Sequence, residues 1–462
     1  MAESDVSVKD TNGDSRSHIP EDLLHFIRRD TYSLLVKGFA GTGKTTLALT
    51  ILNVLGIKNN FFYISTRISP KQLFQYYPWL KDFIEQSKPQ GTSLARNHEV
   101  MSSFEDARLD EPESLFERIT NQLMDIKSPI IIIDSWDAIA SFMDREARLN
   151  NERVLQTWRE RAGAKLIFIS EQPADTTLDF LVDGIVELKQ SCYNSVKMRE
   201  IFLQKLRGTR IKRPSYLYTL ENSIFHSFAP YRPIRFEPLR RSTAHVSKLS
   251  TGDNIGSGYP MLDASLGSGF PKKGVVLLEL DSHVNMTIAM IFLQRIVSNF
   301  VSSGSPVLLQ PINWMEPSSI LRFFETSIPA GKKSLFKILS PGKNQSSNQL
   351  FATLAKMKQR HRDKLVLNIM WADAMQSIYG ARRVRDGMKN TLSRILAPAD
   401  LSIAVLTHSH EDILELVSEI SNIHLRFMMI NDTLFLQSLV PSSNLYSLVF
   451  DRQSQMTLKP VV

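Results

Sequence analysis

Apolar runs of strand length alternate with amphipathic stretches of helical period along two parts of this chain. From Ile19 to about Phe228 the runs include Ser33-Leu34-Leu35-Val36, Phe61-Phe62-Tyr63-Ile64 and Pro129-Ile130-Ile131-Ile132-Ile133. The second part carries Gly274-Val275-Val276-Leu277-Leu278-Glu279-Leu280, Pro306-Val307-Leu308-Leu309, Leu365-Val366-Leu367-Asn368-Ile369-Met370 and Leu401-Ser402-Ile403-Ala404-Val405-Leu406. Consecutive β-branched residues need burial on both faces, and strands alternating with helices predict mostly parallel sheets flanked by helices. The expected fold class is α/β with two tandem domains, and the likeness of the halves points to duplication.

Residues 1–18, rich in Ser, Asp, Lys and Gly without an apolar period, predict a disordered tail. The first domain then spans 19–228 and the second 251–462. Between them, 229–250 reads as a basic linker, with Tyr231-Arg232-Pro233, Phe236-Glu237-Pro238 and Arg240-Arg241 in no regular period.

The chain has 462 residues, too many for one core and enough for two domains of about 200. Cys192 is the single cysteine, so no intramolecular disulfide can form. The N-terminus lacks the basic start, apolar core and cleavage site of a leader, and a cytoplasmic protein is expected. No apolar stretch approaches the ~20 residues needed to cross a bilayer, which argues against membrane integration. A net charge of +8 over 22% charged residues permits nucleic-acid or acidic partners without requiring them. The basic stretches Lys356-Met357-Lys358-Gln359-Arg360-His361-Arg362-Asp363-Lys364 and Arg382-Arg383-Val384-Arg385 read first as solvated faces, with nucleic-acid contact as the alternative. His408 and His410 form an H-x-H beside carboxylates, a partial zinc set that no further ligand cluster joins.

The strongest chemical signal lies between the first strand and the first long helix. Gly38-Phe39-Ala40-Gly41-Thr42-Gly43-Lys44-Thr45 spells G-x-x-x-x-G-K-T, followed by Thr46. The glycines let backbone N–H groups turn inward on phosphates at the positive end of a helix. Lys44 is expected on the β- and γ-phosphates, and the Thr45 hydroxyl on Mg²⁺. The ligand expected at Gly38 to Thr46 is ATP with Mg²⁺. A carboxylate at the end of a buried strand completes such a site, and Asp134 follows the four isoleucines as the Walker B residue, with Thr45 the other metal-side group. Asp137 reads as a helix-capping or supporting residue.

The stretch Glu200-Ile201-Phe202-Leu203-Gln204-Lys205-Leu206-Arg207-Gly208-Thr209 resembles the K-x-R-G segment of the KaiC branch of RecA-like ATPases. Ser170-Glu171, followed by Leu181-Val182-Asp183-Gly184-Ile185-Val186-Glu187-Leu188, is similar to the same branch. The resemblance implies that Lys205 and Arg207 act in trans on the γ-phosphate of a neighbouring subunit, and hence a homo-oligomer, ring or dimer, with a protein partner. One departure bears on mechanism. Where that family carries paired glutamates after the second strand, this chain reads Ser65-Thr66-Arg67-Ile68. Without a carboxylate to orient water, hydrolysis is expected to lose on the order of 10²- to 10⁴-fold. Glu171 substitutes if its strand end faces the γ-phosphate, and Arg67 is open to a phosphate, an acidic partner or solvent. The segments Ile19-Pro20-Glu21-Asp22-Leu23-Leu24 and Ser65-Thr66-Arg67-Ile68-Ser69-Pro70 are also similar to the archaeal GvpD regulators, which implies an archaeal regulatory ATPase without implying gas vesicles.

The second half resembles a worn copy of the first. Ser257-Gly258-Tyr259-Pro260-Met261-Leu262-Asp263 and Gly267-Ser268-Gly269-Phe270-Pro271-Lys272-Lys273-Gly274 are similar to the entry of a KaiC-like domain. The loop that follows reads Leu280-Asp281-Ser282-His283-Val284-Asn285-Met286-Thr287, with Met286 in the lysine position. If Asp373-Ala374 matches Asp137-Ala138, Met370 falls where Asp134 aligns, and no K-x-R-G is evident near Leu425-Arg426-Phe427. The second site is expected to be degenerate. The overall expectation is an ATP-binding, KaiC-like regulatory ATPase with slow Mg²⁺-dependent turnover controlling oligomerisation or partner binding, with Lys44, Asp134, Glu171, Lys205 and Arg207 in the catalytic set. Two alternatives stay open: a nucleic-acid-dependent ATPase of the RecA/RadA type, and a pseudo-enzyme that binds ATP for stability.

Overall fold

The computed structural model describes residues 18–57, 60–85, 104–108, 112–123, 128–144, 146, 154–155, 157, 159–160, 163–174, 176–193, 196–234, 249–310, 316–339, 347–372, 399–407, 411–451 and 455–462. Residues 1–17 of the expected disordered tail, most of the expected linker, the segment Arg382-Arg383-Val384-Arg385, and His408 and His410 lie outside the described residues, whereas His18 is described and its carbonyl accepts the Ser227 N–H at 2.9 Å. The chain divides into two compact units, with the break between Ala229 and Pro230 and Val462 grouped with the first unit.

The first unit contains the strands β1 (Tyr32–Gly38), β2 (Phe61–Ser65), β3 (Phe104–Asp106), β4 (Ile130–Asp134), β5 (Lys165–Ser170), β6 (Gly184–Tyr193), β7 (Val196–Leu206), β8 (Ser215–Thr219) and β9 (His226–Ser227). They form one sheet in the order β3-β2-β4-β5-β1-β6-β7-β8-β9. The strands from β3 to β6 run parallel, and β7 to β9 continue the sheet antiparallel. β1 sits inside the parallel region and is buried along its whole length, as its apolar run demands. Side chains alternate across it. Leu34 and Val36 join helix Lys44–Val54 in one core, while Leu35 faces a second core with Phe116, Ile119, Trp136 and Ile139. Helices therefore cover both faces, and the carboxyl edges of β1, β2, β4 and β5 meet at one end of the unit, where open α/β sheets bind ligands.

The second unit repeats the wiring. Three short strands, β10 (Ser250–Thr251), β11 (Asn254–Ile255) and β12 (Phe270–Pro271), precede β13 (Gly274–Leu280), β14 (Val307–Leu309), β15 (Phe336–Ile338), β16 (Leu367–Trp371), β17 (Leu401–Thr407), β18 (Ile423–Ile430), β19 (Thr433–Val440), β20 (Leu445–Phe450) and β21 (Met456–Pro460). The large sheet runs β15-β14-β16-β17-β13-β18-β19-β20-β21, strand for strand the order of the first. The parallel pairings and the switch to antiparallel after β18 also correspond. Even the irregularity recurs: the ladder slips between Ile185 and Val186 in the first sheet and between His424 and Leu425 in the second. A bulge at one register position in both sheets is the mark of a shared plan. The α/β class with two tandem RecA-type units is thus what the chain adopts.

The register corrects two alignments made from sequence. Val36 pairs Ile169, which pairs Asp134. In the second unit Leu278, likewise two residues before its strand end, pairs Val405, which pairs Trp371. Trp371, not Met370, occupies the Asp134 position, and Asp373, on which the sequence alignment rested, lies outside the described residues. The counterpart of β7 is β19 rather than the strand holding Arg426, so Val440 stands opposite His424 as Lys205 stands opposite Ile185.

Candidate nucleotide site

The first unit's candidate site grows from the end of β1. Gly38 leaves the strand at φ +152, and a Cβ there would meet the Leu188 carbonyl at 2.3 Å, so only glycine lets the chain turn so close to β6. The loop then runs to Gly43, which opens helix Lys44–Val54 from the left-handed region at φ 91. Gly43 has no side chain to give the helix, and the helix start carries no side-chain cap. Its first N–H groups are left for a ligand, the condition for an anion site at a helix N-terminus. The Thr42 hydroxyl donates to the Phe39 carbonyl at 2.8 Å, and the Tyr218 hydroxyl donates to the Thr42 carbonyl at 2.5 Å, fixing the loop's shape. Phe39 itself projects outward and is exposed.

Lys44 folds back over the loop, its Nζ donating to the carbonyls of Gly38 at 2.7 Å and Phe39 at 2.9 Å. Burial holds its ammonium below the ordinary lysine range, partly offset by the charges of Glu171 and Asp134. A cavity of about 400 Å³ opens beside it, lined by Ala40, Gly41, Gly43, Lys44, Thr45, Thr46, Ser65, Arg67, Ile68, Tyr77, Asp134, Glu171 and Leu220. Of the residues expected from sequence, Gly38, Phe39 and Thr42 shape the loop, and Ala40, Gly41, Gly43, Lys44, Thr45, Thr46, Asp134 and Glu171 line the cavity.

Asp134 ends β4 directly across from Thr45, whose Oγ1 donates to Asp134 Oδ2 at 2.5 Å. Tyr63 on β2 donates its phenol to the same oxygen at 2.5 Å. Burial pushes the Asp134 carboxyl above the usual aspartate range despite these two donors. A hydroxyl and a carboxylate converging on one point are hard oxygen donors of the kind Mg²⁺ takes, so the residues present fit that ion. The backbone is tied as well: Thr66 N–H donates to the Asp134 carbonyl at 2.8 Å, and Ser135 N–H donates to Thr66 Oγ1 at 2.9 Å.

Above Asp134, two strand ends are joined. Arg67, just past β2, and Glu171, just past β5, form a two-pronged ion pair, with Arg67 Nη2 at 2.5 Å from Glu171 Oε2. Because β4 lies between β2 and β5, the pair spans the end of the Asp134 strand. Asp137 braces Glu171 from behind, accepting its N–H at 2.6 Å and the Ser170 hydroxyl at 3.1 Å. Asp137 is therefore a strand-end brace and not a helix cap. Sequence reasoning named Arg67 and Glu171 separately and missed their pairing; it also missed Tyr63, Thr66 and Tyr77 as site residues. The one signal for Tyr63 was a phenol inside an otherwise apolar run, two residues from the strand's carboxyl end.

Lys205 and Arg207 stand elsewhere. Leu206 pairs Gly184, which pairs Leu34, whereas Gly38 pairs Leu188, four residues up the same strand. That separation is about 13 Å along the sheet, and neither residue lines the cavity of its own unit. Lys205 Nζ donates to the Asp179 carbonyl at 3.0 Å, and Arg207 lies 3.6 Å from Asp183. Burial and the adjacent Arg207 charge hold Lys205 below the ordinary lysine range. Asp179 also accepts from Lys37 at 3.1 Å in a buried pair, so one short helix touches both the Lys205 strand and the residue before the phosphate loop.

The corresponding place in the second unit is filled by protein. Asn285, in the Gly43 position, takes an extended conformation, and its side chain accepts the Thr287 N–H at 2.9 Å, capping helix Met286–Ser302. Trp371 places its indole N–H 2.8 Å from the Met286 sulfur, joining the counterparts of Asp134 and Lys44. Glu279, in the Lys37 position, is buried against His424 at 2.7 Å, and Arg426 bonds Asp281. Among the described residues, no group of three or more His, Cys, Asp or Glu is placed to hold a metal, and no helix is long and apolar enough to cross a membrane.

Comparison with known proteins agrees with this geometry. Residues 24–204 match the family model described as GvpD gas vesicle protein, P-loop domain. The chain is similar to Protein GvpD2 of Halobacterium salinarum, 24% identical over 320 residues, covering 64% of this chain and 61% of that protein. It is 27% identical to Protein GvpD1 of the same organism over 319 residues, 63% of this chain and 56% of that one. To the circadian clock oscillator protein KaiC of Thermostichus vulcanus it is 23% identical over 312 residues, 62% of this chain and 53% of that protein. Each match spans less than two thirds of the relative's own length.

Proposed function

We propose, from the premise that the chain is a KaiC-like P-loop protein of the RecA type near GvpD, that it is a regulatory ATPase with one working nucleotide site per chain. The observation that carries this reading is the contrast at the two helix starts: Gly43 leaves one open above a cavity holding Lys44, Thr45 and Asp134, while Asn285 closes the other with its own side chain. Phosphates would take the free N–H groups and the Lys44 ammonium, which would exchange two carbonyls for a better acceptor. Mg²⁺, held by Thr45 and Asp134, would neutralise phosphate charge. Tyr77 and Leu220 supply walls for the rest of the nucleotide.

Turnover is expected to be slow, because the loop after β2 offers Arg67 and Ile68 in place of carboxylates, and Glu171 must first be released from its pair with Arg67. Lys205 and Arg207, too far to serve their own cavity, suit a phosphate bound to another copy, which favours ATP-dependent self-association presenting a surface to a protein partner. The lone cysteine suits a cytoplasmic setting. Titration calorimetry with Mg·ATP and Mg·ADP, with light scattering in parallel, tests the reading. One nucleotide per chain, lost in Lys44→Ala, and an ATP-dependent mass increase lost in Lys205→Ala with Arg207→Ala are expected. A monomer that binds nothing, or a Lys44→Ala variant that binds normally, would overturn it.

A further inference from the structure

Arg67 and Glu171 are the two charged groups at the mouth of the cavity that the phosphate loop itself does not explain. They follow β2 and β5, the strands on either side of β4, and meet in a two-pronged pair. Both are anchored from below. Thr66, next to Arg67, is bonded to the Asp134 carbonyl, and Ile68 N–H donates to Ser65 Oγ at 3.2 Å; Glu171 is bonded through its N–H to Asp137. The backbones are fixed and the heads are accessible, with Arg67 about half exposed and Glu171 under a third. An exposed ion pair of this kind is easily exchanged for another anion of suitable geometry.

We propose that this pair is a latch that distinguishes ATP from ADP by reading the terminal phosphate. The proposal rests on the nucleotide reading above and names how that site would be regulated. A guanidinium binds a phosphate and a carboxylate through the same two-pronged geometry, and a γ-phosphate, with more negative charge, competes for Arg67. An ADP β-phosphate, seated deeper on the helix N-terminus, leaves the pair closed. When ATP draws Arg67 away, the Glu171 carboxylate is freed at the place where a water in line with the γ-phosphorus would stand. The water oxygen then bonds to the γ-phosphorus, the bond from that phosphorus to the β,γ-bridging oxygen breaks with its electron pair going to ADP, and the water proton passes to Glu171 and on to solvent. Arg67 is thus a phosphate-binding residue and Glu171 the group it holds in reserve. The arginine standing in place of a glutamate acts as the gate to a carboxylate supplied from another strand.

The test is the ratio of ATP to ADP affinity, read by titration calorimetry in wild type, Arg67→Ala, Arg67→Lys, Glu171→Gln and Lys44→Ala. Nucleotide-free melting temperatures, expected to change little for rim residues, check folding. Arg67→Ala should weaken ATP at least fivefold with ADP unchanged, collapsing the preference, and Arg67→Lys should recover part of it. Glu171→Gln should bind ATP severalfold more tightly than wild type, because Arg67 no longer has a competing carboxylate, while phosphate release falls by about 10²-fold. If Lys44→Ala loses both nucleotides but Arg67→Ala and Glu171→Gln keep the wild-type ratio, the site stands and the latch is overturned. If wild type binds neither nucleotide, the latch and the site reading fall together.

Discussion

Asp134 shows how one residue couples stability to ligand. Its folded form is held above the usual aspartate range by burial, so the fold favours the protonated acid. The stabilisation from that preference is full below the unfolded value near pH 3.9 and is lost as pH rises through the raised folded value. Asp134→Asn keeps an acceptor for Thr45 and Tyr63 while removing the charge. The nucleotide-free variant should therefore melt a few degrees higher than wild type at pH 7, at roughly 2–4 °C per kcal/mol for units of this size, and equally below about pH 4. Calorimetry from pH 3 to pH 7 checks this; a gain that persisted at pH 3 would mean packing rather than charge. The Mg·ATP-induced rise in melting temperature should vanish in the same variant. The sequence made Gly38 to Thr46 and Asp134 legible because each has a fixed spacing to a strand or helix. It hid Tyr63 on Asp134 and Arg67 on Glu171, because these contacts join positions 71 and 104 residues apart through strand pairing.

Elements decide which half of the duplicated plan stays open. In the first unit, Lys37 at the end of β1 is paired with Asp179 in the interior. Lys37→Met should leave that carboxylate buried without its cation, costing about 3 kcal/mol or more and lowering the melting temperature correspondingly. Such a buried cation is not legible from an apolar run that stops at Lys37. In the second unit the helix start is capped by Asn285, and Trp371 sits where the metal-side carboxylate would be. The pair Asn285→Gly with Met286→Lys rebuilds the loop chemistry on paper, yet it should add no second nucleotide in calorimetry, because the indole still fills the place of Asp134. The loss of the loop glycines was plain in the sequence. Trp371 was not, since assigning it needs the register of three strands: β13, β17 and β16.

Across the described residues of the molecule, the two nine-stranded sheets share their strand order, their parallel-to-antiparallel switch and their bulge. That much of the architecture was readable in the alternation of apolar runs with helical stretches, which repeats along the chain. With only one open helix start among the two, saturation should stop at one nucleotide per chain. If the nucleic-acid alternative held instead, turnover would rise with added DNA and the rise would fall steeply with salt. The basic helix end gives that alternative little, since Lys358 is already bonded to the Asp400 carboxylate at 2.5 Å.

The cap that Asn285 places on its own helix has a consequence for signalling. On the proposed reading, a half whose helix start is closed by its own side chain has no variable to register. Nucleotide would then change the state of the first half alone. The chain is then built like a gauge with one moving needle and one engraved dial, and any message it passes must be written as a difference between the two.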